Sequence, residues 1–193
     1  KCLHAGPGYG GSCFPKDTQA LARIGQDHAV PMQLTETVIK VNNETKLRMV
    51  DKIFDMCGGS VNGRTIAILG VTFKPNTDDM REAPSLTIVP ALIGRGASVR
   101  VTDPQGHREG EALLPGVTWA EDAYAAAEGA DLVVILTEWN EFRALDLTRL
   151  AGLMATPRMV DLRNIYSAQD AQCAGFAAYG SVGRTGFGLD DNE

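Results

Sequence analysis

The sequence predicts an α/β protein in which a parallel sheet, covered by helices on both faces, follows a helical segment. Two observations carry this prediction. After residue 63, short apolar runs alternate with helical patterns, which is typical of strand–helix–strand units with parallel strands. Before that point, apolar residues recur near a 3.6-residue period from about Met32 to Met56, which predicts one long helix that ends at Gly58-Gly59.

The helical segment begins at a cluster of helix-start residues. Ser12 is a good N-cap and Pro15 suits a first turn, so we expect a helix from about Ser12 to His28 that Val30-Pro31 ends. The long helix follows. Its single apolar stripe could not stabilise it in isolation, and we expect it to pack against another domain or another subunit.

Five segments predict the strands of a Rossmann-like sheet, of which the first and the third are apolar runs typical of buried strands. They are Thr65–Val71, Ser98–Thr102, Leu132–Leu136, Met159–Asp161 and Phe176–Tyr179, with helices expected at Ser85–Ile93, Ala120–Glu128 and Leu147–Met154. The predicted organisation is a helical segment over 1–60, a sheet domain over 61–183 and a flexible, glycine-rich tail over 184–193.

Composition excludes several classes of function. A net charge of −6, with no dense run of lysine or arginine, argues against a nucleic-acid partner. No apolar run approaches the roughly 20 residues that cross a bilayer, and no secretory leader is seen, so we expect a cytoplasmic protein. Cys2, Cys13, Cys57 and Cys173 lack metal-site spacing, and Cys2, Cys57 and Cys173 are expected to be small buried hydrophobes.

Cys13, by contrast, lies in a segment whose residues favour a reactive thiolate. Gly10 and Gly11 let a ligand approach the main chain closely. Cys13 then falls at a helix start, where free N–H groups and the helix dipole favour a thiolate. Lys16 adds a cation one turn on, and Asp17, four residues after Cys13, projects from the same helical face. The segment therefore predicts a nucleophilic cysteine.

Further candidate residues follow the predicted strands. Phe73 and Lys74 come after the first strand, Glu138 after the third and Arg163 after the fourth. Ligands of open parallel sheets bind beyond the carboxyl ends of the strands. We therefore expect these residues to line a ligand site.

Three segments together resemble the UDP-glucose/GDP-mannose dehydrogenase family. They are Pro7–Asp17, Phe73–Glu82 and Asp161–Asn164, in that order, and Thr137-Glu138-Trp139 adds a shorter match. The likeness covers nearly the whole chain. Members of this family carry an N-terminal NAD-binding domain before the cysteine segment, and we expect that domain to be absent from this chain.

The resemblance implies a role for each matched residue. Cys13 takes the position of the catalytic nucleophile and Asp17 that of the carboxylate that assists hydrolysis, while Lys16 and Arg81 match residues that contact NAD. The substrate-binding residues that it implies are Cys2, Leu3, His4, Ala5, Gly6, Gly10, Phe73, Lys74 and Arg163.

The implied reaction is the NAD-dependent, four-electron oxidation of UDP-glucose to UDP-glucuronate. The intermediate aldehyde adds to the thiolate as a thiohemiacetal, whose remaining C–H bond allows a second oxidation to a thioester that water then hydrolyses. The family also uses a lysine, an asparagine and a glutamate that precede this chain. We therefore expect the chain alone to bind a UDP-sugar weakly and to turn over nothing, and we expect a homodimer or higher homo-oligomer.

The segment Gly6–Gly11 fits the pattern G-x-G-x-x-G, but we do not expect a dinucleotide-binding loop there. A buried strand should precede such a loop, and Lys1–Ala5 is too short and mixed to form one. The first strand of the sheet is followed by no glycine triplet. We therefore expect the sheet domain to hold a nucleotide-sugar through backbone groups, Lys74 and Arg163.

Three alternatives stay open. The substrate could be GDP-mannose or a UDP-N-acetylhexosamine, although Phe14-Pro15 and Thr137-Glu138-Trp139 look closer to the UDP-glucose branch. The chain could also be a non-catalytic nucleotide-sugar-binding or oligomerisation module, with the long helix as a dimer interface. A cysteine hydrolase is the third, but no histidine is spaced to act as its base.

Overall fold

The computed structural model describes residues 4–188, which form eight helices and six strands. The helices are α1 Cys13–Asp27, α2 Gln33–Met56, α3 Ser85–Gly94, α4 His107–Leu113, α5 Ala123–Ala127, α6 Asn140–Arg143, α7 Leu147–Leu153 and α8 Ala168–Cys173. The strands are β1 Thr65–Leu69, β2 Ser98–Thr102, β3 Thr118–Trp119, β4 Leu132–Ile135, β5 Arg158–Asp161 and β6 Ala178–Ser181.

The strands form one parallel sheet in the order β3-β2-β1-β4-β5-β6. One core packs on each face of this sheet, with α2 and α3 contributing to the first and α5 and α7 to the second. Burial on both faces explains why the central strands are continuous apolar runs. The predicted Rossmann-like α/β fold is confirmed, and the strand order reverses between β1 and β4.

Several predicted boundaries differ from the structure. The first strand ends at Leu69, because Gly70 has a φ of +87° and donates its N–H to Thr102 O at 2.8 Å. The last strand is Ala178–Ser181, two residues later than predicted. The helix expected from Ala120 begins only at Ala123, because the Asp122 carboxylate caps it by accepting Ala125 N–H at 2.7 Å. The sequence analysis missed β3, α4, α6 and α8.

The long helix α2 joins the two parts of the chain. Its C-terminal half packs in the same core as the sheet, through Met49, Val50, Ile53 and Met56. Its N-terminal half packs against α1 and leaves apolar side chains on the surface, with Leu34 86% exposed. The helix therefore has one buried and one uncovered apolar region.

Part of the predicted tail pairs with the sheet, and the length and apolar character of the helices decide whether they could cross a bilayer. Within the predicted tail, Phe187 exchanges backbone hydrogen bonds of 3.0 Å with Tyr179, while residues 189–193 lie outside the described part. Among the helices of residues 4–188, none has both the length and the apolar character needed to cross a bilayer.

Candidate active site

The loops after β1, β4 and β5 meet above the reversal point of the sheet. Thr137, after β4, donates its hydroxyl to Thr72 O at 2.5 Å, which ties the β4 loop to the β1 loop. Gly70 allows this approach, since a Cβ there would lie 2.5 Å from the Cβ of Thr137. The predicted convergence of Phe73, Glu138 and Arg163 at the carboxyl edge therefore has a physical basis in close loop packing.

Arg163 links all three of these loops. Its Nε donates to Leu136 O at 2.8 Å and its Nη2 to Phe73 O at 3.1 Å, while Nε also lies 3.2 Å from Glu138 Oε2. Burial lowers the pKa of Arg163, and the charges of Glu138 and Asp161 oppose that effect. A guanidinium stays protonated in proteins, so the direction of the shift reports a positive charge that is held partly out of water.

The turn that presents Arg163 is built on Asp161. This fully buried carboxylate accepts the N–H of Arg163 at one oxygen and the N–H of Tyr166 at the other, both at 2.9 Å. Burial raises the pKa of Asp161, and hydrogen bonds from the backbone oppose the rise. Asn164, with a φ of +55°, completes the turn by accepting Val182 N–H at 3.0 Å. The matched segment Asp161–Asn164 thus forms a hydrogen-bonded turn that fixes the backbone of Arg163.

The loop that carries Cys13 lies directly on this edge of the sheet. Gly11 donates its N–H to Arg81 O at 2.7 Å, and a Cβ on Gly11 would lie 2.8 Å from the Phe73 ring. A Cβ on Gly10 would lie 2.5 Å from Glu82 O, and one on Gly6 would lie 3.5 Å from Arg163 Nη1. The glycines of the motif therefore serve close approach to the β1 and β5 loops, although their spacing fits the pattern G-x-G-x-x-G.

Helix α2 holds the same loop from the other side, through residues that the sequence analysis missed. Asn42 accepts Tyr9 N–H at 2.7 Å and donates to Tyr9 O at 3.2 Å. Lys46, one turn later and 5% exposed, donates to Glu82 O at 3.2 Å. Burial lowers the pKa of Lys46, and the Glu82 carboxylate opposes this shift. Asn42 and Lys46 lie on the buried side of the amphipathic helix α2. Polar residues at such positions were the sequence signal that could have identified this contact.

Cys13 is the first residue of α1 and its side chain is exposed. The expected cap is wrong: Ser12 has helical backbone angles and makes no capping hydrogen bond, and its hydroxyl instead lies 3.7 Å from the Cys13 sulfur. Lys16 and Asp17 are exposed on the same first turns and form an ion pair of 3.6 Å with each other. The sulfur is therefore accessible at a helix start, as nucleophilic attack requires.

Arg81 is an exposed cation beside the Cys13 loop. Asp79 fixes it by accepting Nε at 3.0 Å and Nη2 at 2.8 Å. These hydrogen bonds lower the pKa of Asp79 and raise that of Arg81, to which the nearby Cys13 adds a smaller contribution. Lys16 and Arg81 are thus two exposed cations near the sulfur, and their charge fits the pyrophosphate of a dinucleotide.

Asp103, at the end of β2, is committed to the protein itself. One carboxylate oxygen accepts the N–H groups of Val71 and Thr72, and the other accepts those of Gln105 and Gly106, at 2.7 to 3.1 Å. An acidic residue near this place holds the ribose in dinucleotide-binding sheets. Here its oxygens are occupied, which agrees with the expectation that this sheet does not take a dinucleotide in that way.

The remaining predicted residues are less enclosed. Lys74 is exposed, and its ammonium lies 5.1 Å from the centre of the Phe73 ring. His4 and Ala5 are exposed, and Cys2 and Leu3 lie outside the described residues. Cys57 is buried as expected, but the expectation for Cys173 is wrong, because it is exposed at the end of the short helix α8.

Comparison with known proteins identifies the family to which the chain is similar. Residues 67–168 match the profile described as "UDP-glucose/GDP-mannose dehydrogenase family, UDP binding domain", and residues 1–44 match the central domain of that family. A protein named UDP-glucose 6-dehydrogenase from Rhizobium meliloti is 53% identical over 95% of this chain and 42% of its own length. The chain thus spans about two fifths of the curated relatives that it matches.

Solved structures show the same relationship. The structure of a UDP-glucose dehydrogenase from Pyrobaculum islandicum is 35% identical, with a TM-score of 0.76 over 91% of this chain and 38% of that one. An NDP-N-acetyl-D-galactosaminuronic acid dehydrogenase from Methanosarcina mazei Go1 is 26% identical, with a TM-score of 0.80 over 97% of this chain and 40% of that one. By sequence and by fold, the chain belongs to the UDP-glucose/GDP-mannose dehydrogenase family.

Proposed function

We propose that this chain binds UDP-glucose and supplies the cysteine nucleophile for its NAD-dependent, four-electron oxidation to UDP-glucuronate. The observation that supports this most is the contact between the Cys13 loop and the carboxyl edge of the sheet. Gly6 lies against Arg163 and Gly11 against Phe73, so that a ligand held at that edge is within reach of the loop. Relatives that carry the name UDP-glucose 6-dehydrogenase support the choice of substrate.

Each residue has a defined task in this proposal. Arg163 and Lys74 bind the diphosphate, and the backbone at Gly6 and Gly10 borders the sugar. The Cys13 thiolate adds to the aldehyde carbon and forms a thiohemiacetal that retains one C–H bond. Loss of that hydrogen as hydride leaves a thioester, and Asp17 assists the water that releases the acid and regenerates the thiolate.

NAD, when bound, accepts the hydride at each oxidation. Lys16 and Arg81 are the residues of this chain that we assign to it, since both are exposed cations close to the loop of Cys13. Asp79 holds the Arg81 guanidinium in one orientation, which reduces the entropy lost when an anion binds, although its charge also cancels part of the attraction for that anion.

We also propose that a second copy of the chain covers the exposed apolar side chains of α1, α2 and the loop between them, and that the assembly works in the cytoplasm. A surface this rich in apolar residues is unusual for a monomer. The residues concerned are Phe14, Leu21, Ile24, Val30, Leu34, Val38, Val41 and Leu47.

Calorimetric titration with UDP, UDP-glucose and GDP tests the ligand assignment. We expect UDP and UDP-glucose to bind with a Kd on the order of 0.1 mM and GDP to bind at least about tenfold more weakly. Arg163→Met should abolish binding of both uridine nucleotides. Preferential binding of GDP-mannose or of a UDP-N-acetylhexosamine would move the substrate to another branch of the family.

Alkylation of Cys13 by iodoacetamide, followed by peptide mass mapping, tests the nucleophile. We expect rapid alkylation that UDP-glucose slows, with Cys173 in the same sample as an exposed reference thiol. An unreactive Cys13 in folded protein would favour the non-catalytic binding module instead.

A further inference from the structure

Glu138 contributes a buried negative charge at a site that we expect to bind a diphosphate. Its side chain is 15% exposed, and Oε2 lies 3.2 Å from Nε of Arg163. No described residue donates a hydrogen bond to Oε2, since the single Nε hydrogen of Arg163 points to Leu136 O at 2.8 Å. The carboxylate therefore compensates the charge of Arg163 without receiving one of its hydrogens.

The Arg163 guanidinium does not depend on Glu138 for its position. Two backbone carbonyls, Leu136 O and Phe73 O, accept its Nε and Nη2 hydrogens, and the Asp161 turn fixes its backbone. Nη1 faces Gly6 and the Cys13 loop. A neutral side chain at position 138 would leave these contacts in place and would avoid the desolvation of a carboxylate.

We propose that Glu138 limits the affinity of the site for the diphosphate, so that the oxidised nucleotide-sugar can leave. This rests on the proposed function, in which Arg163 binds that diphosphate. Oε2 is inaccessible to solvent and lies 3.2 Å from Nε of Arg163, so in this proposal Glu138 acts through its charge on the guanidinium. A carboxylate beside the guanidinium cancels part of its attraction for a second anion, at short range and partly shielded from water.

The experiment is a UDP titration of the 193-residue chain and of two variants at position 138. Glu138→Gln removes the charge and keeps the shape. For a phosphate roughly 7 Å from the carboxylate, effective dielectric constants between about 80 and 20 give a change in affinity between about threefold and fiftyfold. We therefore expect this variant to bind UDP about tenfold more tightly. Glu138→Asp keeps the charge and should bind UDP no more tightly than the unmodified chain does.

The matched control is Glu141→Gln, which removes the same charge from an exposed position three residues away and should leave UDP affinity unchanged. The tightening in Glu138→Gln should shrink as salt is raised, because it is electrostatic. A merely structural role would weaken binding, so the sign of the change separates the two explanations.

Each other outcome counts against the inference. Unchanged or weaker UDP binding by Glu138→Gln overturns it while the proposed function stands. Failure of that variant to fold also overturns it, because the two carbonyls would then not suffice to hold Arg163. If the unmodified chain does not bind UDP at all, the proposed function fails, and the inference fails with it.

Discussion

Replacing Gly10 by alanine should destabilise the protein, and the structure gives the size of the effect. A Cβ at this position would lie 2.5 Å from Glu82 O, 2.9 Å from Glu82 C and 3.0 Å from Ala83 Cα. These are backbone atoms, which cannot rotate away as a side chain would. Glu82 is also held in the left-handed region, with a φ of +53°, by the hydrogen bond from Lys46. The Cys13 loop must therefore move.

We expect Gly10→Ala to lower the free energy of unfolding by about 1 to 3 kcal/mol, the usual cost of overpacking. The matched control is Gly152→Ala in α7, where a Cβ would meet nothing within 4 Å. Removing a glycine from that helix should raise the free energy of unfolding by up to about 1 kcal/mol.

Urea denaturation measures both changes, and hydrogen exchange at Gly11 N–H reports whether its 2.7 Å bond to Arg81 O is lost. We expect faster exchange in Gly10→Ala alone. If Gly10→Ala is as stable as the unmodified chain and Gly11 exchanges normally, the loop does not lie against Glu82 as described. The Cys13 loop would then not be placed on the carboxyl edge of the sheet.

Two further predictions concern charge and assembly. Arg81 lowers the pKa of Asp79, so the stability gained is fully present above the unfolded-chain value of 3.8 and is lost as pH falls through the lower folded-state value. Asp79→Asn should therefore flatten the acid side of the curve of unfolding free energy against pH, and an unchanged curve would refute this. The double change Leu34→Glu, Val38→Glu should shift sedimentation from dimer to monomer without lowering Tm, since both side chains are exposed within one chain; a dimer that persists would place the interface elsewhere.

The sequence predicted the sheet well where burial dominates the pattern. Strands β1 and β4 are apolar runs because both faces are covered, and such runs are visible without knowledge of neighbours. The missed strand β3 has two residues, and its place depends on pairing with β2. The missed helix α8 could have been predicted, because Ser167 and Asp170 have the spacing of a capping box.

The site was predicted in part, for a similar reason. Residues at strand ends, such as Phe73 and Arg163, could be expected to converge because topology alone brings them together. The contributions of Asn42 and Lys46 depend on how α2 crosses the Cys13 loop, which no local pattern encodes. Ser12 failed as a cap because its own backbone is helical, so its side chain is not placed to accept an N–H of the first turn.

Close tertiary contacts lie at the reversal point of the sheet, which is where dinucleotides bind in other sheets of Rossmann topology. At the reversal point, Thr137 donates its hydroxyl to Thr72 O and packs on Gly70, so the β1 and β4 loops are in direct contact. The Asp103 carboxylate accepts hydrogen bonds from the backbone of the adjoining loops. In the proposed function, the ligand lies at the carboxyl edge of the sheet, where Arg163 and the Cys13 loop come close to each other. Such a ligand would be presented to the Cys13 sulfur, as the proposed reaction on a sugar carbon requires.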